Sequence, residues 1–556
     1  MTRPEIEYRD GVPIVPSVHP VLILKGSDFE IGSQYVEQLY EVYGAYALER
    51  FERSFTDEDM AAVAEYAAYL KEYTPEFDEI LKGAAQAAQK LGFDLGYEHF
   101  LAEVCNTMSL YGRAPLPTYP GTESLSVEEP QLKNCSGFAA WGSATKDGHV
   151  VCGGSADHVV DFDNIVACYP ETGNNMIFRF PLELVSLGMF PGMNNKGVAY
   201  AHHGSGILGN EIPGYSVFGV AQLYHTLRFA NSAEEALEMQ ASYPKGTRAD
   251  GLWVDVAGNA GVLECRDPKT IRRPGDCGEE DFLHATNTVM AKSLEPFIKN
   301  PYGWPVSYVE HGGWLKDDLD SERRNLCMWN ALHNYHGEID IEFAKMLFRM
   351  AGPEPEYDSI EAAEKGLYET QGKGWMPYVG NLANISIAFV EPDDGNEGMY
   401  HVCTGVAGKS LEPLSDEWYF FNNEELRTFF ELKLAETPDK MVMAAKTTCD
   451  YEMFYANRAL SRLTVHDLEW APLTKVFSKA CAAYQKGDFY LTAARGKEGT
   501  EKTNLLAKAL RFYVKCQALS RHVKESLEGA PSCPSDLGLK EWMGDWGDWD
   551  LGPETA

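Results

Sequence analysis

Asn134 to Asp157 reads NCSGFAAWGSATKDGHVVCGGSAD, and this stretch decides the fold. A cysteine heads an apolar run, the chain turns at Asp147-Gly148, and it returns through His149 and Cys152 to an acidic residue. Asp-Gly between two strand-like runs signals a hairpin, because both residues tolerate a positive φ. An antiparallel pair follows. With the turn centred between 147 and 148, paired residue numbers sum to 295, so residue 160 is the expected partner of Cys135. Asp157 lies within three residues of that position. The hairpin by itself therefore brings a carboxylate near a thiol.

Outward from this hairpin, the bulk of the chain sets bounds. Its 556 residues exceed what one growing hydrophobic core holds, which predicts at least two structural units. Apolar residues at 44%, with 12% aromatic, supply core material and exclude a disordered chain. Lys and Arg number 48 against 83 Asp and Glu, a net charge of −35. Such a field repels phosphate backbones and anionic membranes, so neither nucleic acid nor a membrane is expected as a partner. It also serves solubility. The 12 cysteines show no CxxC pairs, which speaks against a zinc ribbon or a thioredoxin-like motif. The N-terminal MTRPEIEYRDGVPIVP lacks the apolar centre of a secretory signal, and no apolar run approaches the ~20 residues of a membrane span. These features predict a cytoplasmic protein with reduced thiols.

Before the hairpin, Val21 to Leu24 reads as a strand, followed by a capping box at Ser27-Asp28-Phe29-Glu30 and a helix with Ile31, Tyr35, Leu39 and Val42 on its buried face. Thr56 and Thr74-Pro75 introduce two more helices, the last ending at Gly92. Residues 113 to 130, rich in Pro, Gly and Ser, form a loop just ahead of Cys135. After the hairpin, strands are expected at 175 to 180, 197 to 202, 252 to 256 and 261 to 265, the last two joined by Ala257-Gly258-Asn259-Ala260, with a capped helix from Ser232 to Gln240. Helices dominate 321 to 350, and strands return at 384 to 390 and 399 to 403. Beyond about residue 415 the pattern becomes long amphipathic helices, as in Glu501 to Leu527, before an acidic, Trp-rich tail. The pattern as a whole is α+β. It divides into 1–134, a helical leading segment, 135–414, a central core, and 415–556, a helical extension.

The Cys-Ser opening, the Asp-Gly turn and an Asp 22 residues after the cysteine resemble the cysteine N-terminal-nucleophile (Ntn) hydrolases of the penicillin (isopenicillin N) acyltransferase type. GSDFEIGSQ at 26 to 34, GMNNKG at 192 to 197, HATNT at 284 to 288, SERR at 321 to 324 and ANISIAF at 383 to 389 resemble further family pieces in the same order. Together they span roughly residues 20 to 410. Two positions depart from the pattern: Asn134 stands where the family usually has Gly, and Gly154-Ser155 where Arg or Gln followed by Asn often precede the Asp.

The resemblance implies an αββα sandwich and a definite chemistry. Cys135 would attack the Asn134 carbonyl, the bond would shift to a thioester, and water would release two chains that stay associated. The freed α-amine, with a reference pKa of ~7.7–8.0, would then serve as the base for the Cys135 thiol. Asp157 would orient that amine, and Asn287 matches the family's oxyanion-stabilising asparagine. Asn194, Asn195 and Tyr200 fall in the segment resembling the substrate side, although the same residues equally build the turn before Gly197. Arg323 or Arg324 could receive a substrate carboxylate, against the more ordinary role of an exposed ion-pair partner. The other cysteines read as small buried hydrophobes.

Other chemistries find less support. His202 and His203 are adjacent and on a strand would face opposite sides, which disfavours a shared metal, and no metal site is expected. Cys135 with His158 lacks a third orienting residue. GxGxxG and P-loop patterns are missing, so no cofactor is expected. The reading is an amidohydrolase acting on linear, non-peptide or N-acyl amides of a small-molecule substrate. An acyltransferase using an amine acceptor and an inert binding or scaffold protein are the alternatives. Lipid amides or esters, as in the acid ceramidase-like and phospholipase B-like branches, and a homo-oligomeric state are left open.

Overall fold

The computed structural model describes residues 8–9, 12–13, 18–49, 51–105, 134–157, 163–181, 191–204, 219–243, 249–264, 270–276, 278–286, 290–291, 328–329, 331–349, 386–403 and 428–528. A two-strand ladder, β1 (Tyr8–Arg9) and β2 (Val12–Pro13), precedes β3 (Val21–Gly26). The helices α1 (Asp28–Tyr43), α2 (Tyr46–Glu49), α3 (Asp57–Tyr73), α4 (Pro75–Lys90) and α5 (Tyr97–Cys105) follow. Local chemistry sets their starts. Ser27 and Glu30 form a complete capping box, as do Thr56 and Asp59, and Pro75 opens α4 where a missing N–H costs nothing. The helix α1 crosses α4 at two glycines: a Cβ on Gly32 would fall 1.9 Å from Ile80 O, and one on Gly83 would fall 2.0 Å from Phe29 O.

The strands form two large sheets. One runs β12 (Thr270–Arg272), β11 (Ala260–Glu264), β10 (Ala249–Asp255), β9 (Val198–Gly204), β8 (Gly192–Asn194), β7 (Met176–Pro181), β6 (Asp163–Pro170), β3. The other runs β13 (Phe282–Ala285), β4 (Asn134–Ala140), β5 (Val151–Asp157), β14 (Ser386–Glu391), β15 (Met399–Cys403), β16 (Phe429–Lys433). Within these two sheets every strand pairing among the described residues is antiparallel except β3 with β6. Residues ahead of Cys135 thus supply an edge strand to a sheet made otherwise of later residues. The hairpin from β10 to β11 forms as its sequence predicts, with Asp255 accepting from Ala257 N and Asn259 N.

Alternation along the strands builds three cores. Ile23, Ile165, Ala199 and Leu252 of the first sheet meet Ala139, Cys152, Ala388 and Val402 of the second. On the far side of the first sheet, Leu22, Val166, Phe178 and Trp253 pack against α1, α3, α4, α5 and the pair α6 (Gly219–Phe229) and α7 (Ala233–Ser242). On the far side of the second, Phe138, Ile387 and Phe389 pack against Phe343, Leu347 and Phe348 of α8 (Ile341–Arg349).

The C-terminal part holds α9 (Pro438–Leu460), α10 (Trp470–Ala494) and α11 (Gly499–Glu528). Its opening differs from the sequence expectation, because β16 lies inside the stretch read as helical and completes the second sheet. The helix α11 packs on both β3 and β16, the edge strands of the two sheets on the same side of the molecule. Leu506, Leu510 and Val514 join the core between the sheets.

Candidate active site

The hairpin at the centre of the sequence forms, but with a different register. Cys135 pairs with Ala156 and Asn134 with Asp157, so partner numbers sum to 291 and not 295. Gly148 does adopt φ +82°, and Asp147 Oδ1 accepts from His149 N at 3.1 Å. That turn is off-centre within a ten-residue excursion, 141–150, held by long-range partners. Trp141 N donates to Asp281 O at 2.9 Å, Ser143 N and Oγ donate to Asp281 Oδ2 at 2.9 and 2.6 Å, and Thr145 bridges to Ile339. These contacts move the centre of the ladder to between 145 and 146, and they leave Asp157 one position from the partner of Cys135.

The strand bearing Cys135 is interior to its sheet, with β5 on one side and β13 on the other. Ala285, at the end of β13, pairs with Gly137. The departure at Gly154 has a steric cause. Its φ is +157°, and a Cβ there would lie 1.9 Å from Ser136 O, so only glycine lets β5 approach β4 this closely. At positions 134, 135, 156 and 157 only the backbone is described; Asn287, Arg323, Arg324 and His158 lie outside the described residues.

Of the three substrate-side candidates within the described residues, Asn194 gives its side chain to the scaffold. Asn194 Nδ2 donates to Leu227 O and Ala230 O, at 2.8 and 2.9 Å, while its Oδ1 accepts from Lys196 N and Val198 N. This is the turn-building role that its sequence also allowed. Asn195 N donates to Asn175 O in the same turn. Gly197 O in this turn accepts from Val256 N, and Gly258, two residues on, lies against Trp141. The turn therefore sits at the Trp141 end of β4, and Cys135, six residues away, is ~20 Å along the strand. Tyr200 is fully buried against Trp253, in the core between the first sheet and its helices and not between the sheets.

A buried charged cluster lies beside β13 that the sequence did not single out. Arg272 and Glu264 are each 1% exposed, and Arg272 Nε stands 3.4 Å from Glu264 Oε1. Arg272 also donates to Glu279 and to the backbone carbonyl of His284. Glu264 accepts from Met290 N at 3.0 Å and Ala291 N at 2.8 Å. Burial pushes the Glu264 carboxyl up despite the opposing pull of Arg272 and the two amides, and burial with the Arg272 charge holds His284 well below its ordinary value. The only signal in the sequence was a charge at a strand position otherwise apolar, and its partners were unreadable without the fold.

Burial pushes the thiols of Cys152 and Cys168 up, that of Cys168 to about 12, and a hydrogen bond with the Cys516 thiol, followed by burial, raises that of Cys449, which makes all three inert as nucleophiles. Among the described residues, no three His, Cys, Asp or Glu side chains converge to hold a metal, and no helix is long and apolar enough to cross a membrane.

No family model and no curated protein matches the chain. Among solved structures, a conjugated bile acid hydrolase from Clostridium perfringens is similar in two variant forms. One shares 12% identity over 54% of this chain and 92% of that one, with a TM-score of 0.31. The other shares 14% over 48% and 89%, with a TM-score of 0.27. A penicillin V acylase from Agrobacterium tumefaciens shares 12% over 54% and 88%, with a TM-score of 0.25. Likenesses this distant do not decide family or activity.

Proposed function

We propose that the chain is a self-processing cysteine Ntn amidohydrolase of αββα architecture, cytoplasmic and cofactor-independent, that cleaves a linear N-acyl or other non-peptide amide. The observation that carries this reading is the strand order β13, β4, β5, with Cys135 opposite Ala156 and one position from Asp157. Alternation assigns position 135 to the face of Gly137 and Ala139, towards the other sheet. Asp157 is opposite Asn134, so by the same alternation it belongs to the other face of the ladder from position 135. Cutting the 134–135 bond turns the Cys135 nitrogen into an α-amine, which in this reading Asp157 orients from the neighbouring strand. Asn287 follows Ala285, the partner of Gly137, by two residues in the sequence.

In this mechanism the α-amine takes the Cys135 thiol proton, and the thiolate attacks the substrate acyl carbon while Asn287 donates to the oxyanion. Collapse breaks the C–N bond, and the leaving amine carries off the proton held by the α-ammonium. Water, deprotonated by the same amine, then attacks the thioester, releasing the acid and returning the thiol. An amine in place of water would make the enzyme an acyltransferase. The strand β3 pairs with β6 and α11 covers it, contacts that would hold the two chains together after the cut.

Intact mass under denaturing conditions, on wild type beside Cys135→Ala, tests the reading. Two fragments divided between 134 and 135 in wild type, and one full-length chain in the variant, are expected. One uncut chain in both would remove the α-amine base and favour an inert binding protein.

A further inference from the structure

Three cysteines meet where α9, α10 and α11 pack together, and Tyr513 of α11 marks the level. Its ring lies 5.8 Å from that of Tyr484 on α10 and 5.4 Å from Lys446 Nζ on α9, and its hydroxyl donates to Asp488 of α10 at 2.6 Å. Along α9 and α11 the contacts climb together, from Lys446 with Tyr513 to Glu452 with Arg521, so these helices run parallel. Along α10 and α11 they run in opposite senses, from Tyr484 with Tyr513 to Tyr490 with Phe512 and Lys508. Cys449 stands three residues after Lys446, Cys516 three after Tyr513 and Cys481 three before Tyr484. Residues three apart share a helix face, so each helix brings one thiol to the same level. Gly487 lets α10 approach α11 closely here: a Cβ on it would lie 2.7 Å from the Tyr513 ring. Cys449 and Cys516 are buried and hydrogen-bonded to each other, whereas Cys481 is partly open to solvent.

We propose that Cys481 and Cys516 are an oxidation site, at which a hydroperoxide drives closure of a disulfide that ties α10 to α11. The Cys481 sulfur attacks the peroxide and breaks its O–O bond; the thiol proton goes to the departing oxygen, and Cys481 becomes a sulfenic acid. The Cys516 sulfur then attacks the Cys481 sulfur. The S–S bond forms, the S–OH bond breaks, and hydroxide leaves with the Cys516 proton as water. Two thiols give up two electrons, and the peroxide takes them to yield an alcohol, or water from hydrogen peroxide. Cys449 stays reduced, because its hydrogen bond to Cys516 and its burial both favour the protonated thiol. Burial, and next the Cys516 thiol, push the Cys481 thiol up as well, so the first step is slow and answers sustained peroxide. The site does not rest on the reading of Cys135.

The test treats the protein with excess hydrogen peroxide, alkylates the remaining thiols in denaturant and maps tryptic peptides by mass without reductant. The three cysteines fall on separate peptides, 447–458, 480–486 and 516–521. The expected product is a cross-link of 480–486 with 516–521, lighter than the two peptides together by two hydrogens, lost on adding dithiothreitol and absent from Cys481→Ser. Closing this loop should also slow hydrogen exchange along α10 roughly tenfold or more, with untreated wild type as the folded reference. Cys481 recovered as sulfinic acid beside an alkylated Cys516 would overturn the proposal, since Cys516 would then be out of reach. Both thiols recovered alkylated after prolonged peroxide would overturn it as well. So would a cross-link of 447–458 with 516–521, which would make Cys449 the partner.

Discussion

Two regions of this molecule satisfy strand and segment backbones with side chains, and they do so with opposite chemistry. At the edge strands the device is a neutral amide. Gln38 accepts from Ile23 N and donates to Ile23 O, at 3.2 and 2.7 Å, and Gln34 does the same for Lys25 at 2.8 Å in both directions. Gln517, with its amide oriented to donate to Glu431 O and accept from Glu431 N, repeats the arrangement on β16. Each glutamine imitates the next strand and closes an edge that would otherwise pair with another chain. Beside the candidate site the device is the buried pair Arg272 and Glu264. A neutral amide meets one donor and one acceptor of a single residue at little desolvation cost. A carboxylate and a guanidinium grip donors on one side and an acceptor on the other, in two different segments. Charge is used where two segments must be fixed to each other, and amides where one strand needs only a neighbour.

The contrast can be broken most severely at the charged end. Arg272→Met leaves Glu264 and Glu279 buried without their cation, and a loss of about 3–5 kcal/mol in urea unfolding is expected. A loss under about 1 kcal/mol would mean that the cluster is already neutral through protonation. At the amide end, Gln38→Glu sets a carboxylate against the Ile23 carbonyl and should cost more than Gln38→Ala, which leaves two buried backbone groups unmet for about 2 kcal/mol. Equal losses in the two variants would show that water replaces the glutamine. The smallest effect is expected with pH. Burial pushes the Glu431 carboxyl up, but His401, Arg521 and Lys345 outweigh it and hold it well below the ordinary range. Its folded form therefore takes a proton less readily than the unfolded chain. The stability it contributes is full above the unfolded value of about 4.3 and is lost as pH falls below that. Urea midpoints measured between pH 6 and pH 3 should fall more steeply in wild type than in Glu431→Gln; parallel profiles would assign the acid loss to other carboxylates.

The sequence by itself determined what neighbours within about four residues decide. Ser27 with Glu30, Thr56 with Asp59 and Pro75 start helices where they were read, because a cap is a short-range hydrogen bond between a side chain and a nearby backbone N–H. The strand pair carrying Cys135 and Asp157 was legible for the same reason, through its alternation and its Asp-Gly turn. Its register was not, since Asp281 and Ile339, far along the chain, set the length of the excursion between the strands. Only the tertiary structure turned Asn194 into a cap for the end of α6 and placed Tyr200 in a core that faces helices. Only it paired the charges of Glu264 and Arg272 and laid α11 over both sheet edges. A side chain's type limits which hydrogen bonds it can make; which of them it makes depends on the groups that burial brings within 3 Å, and residues hundreds of positions apart supply those groups.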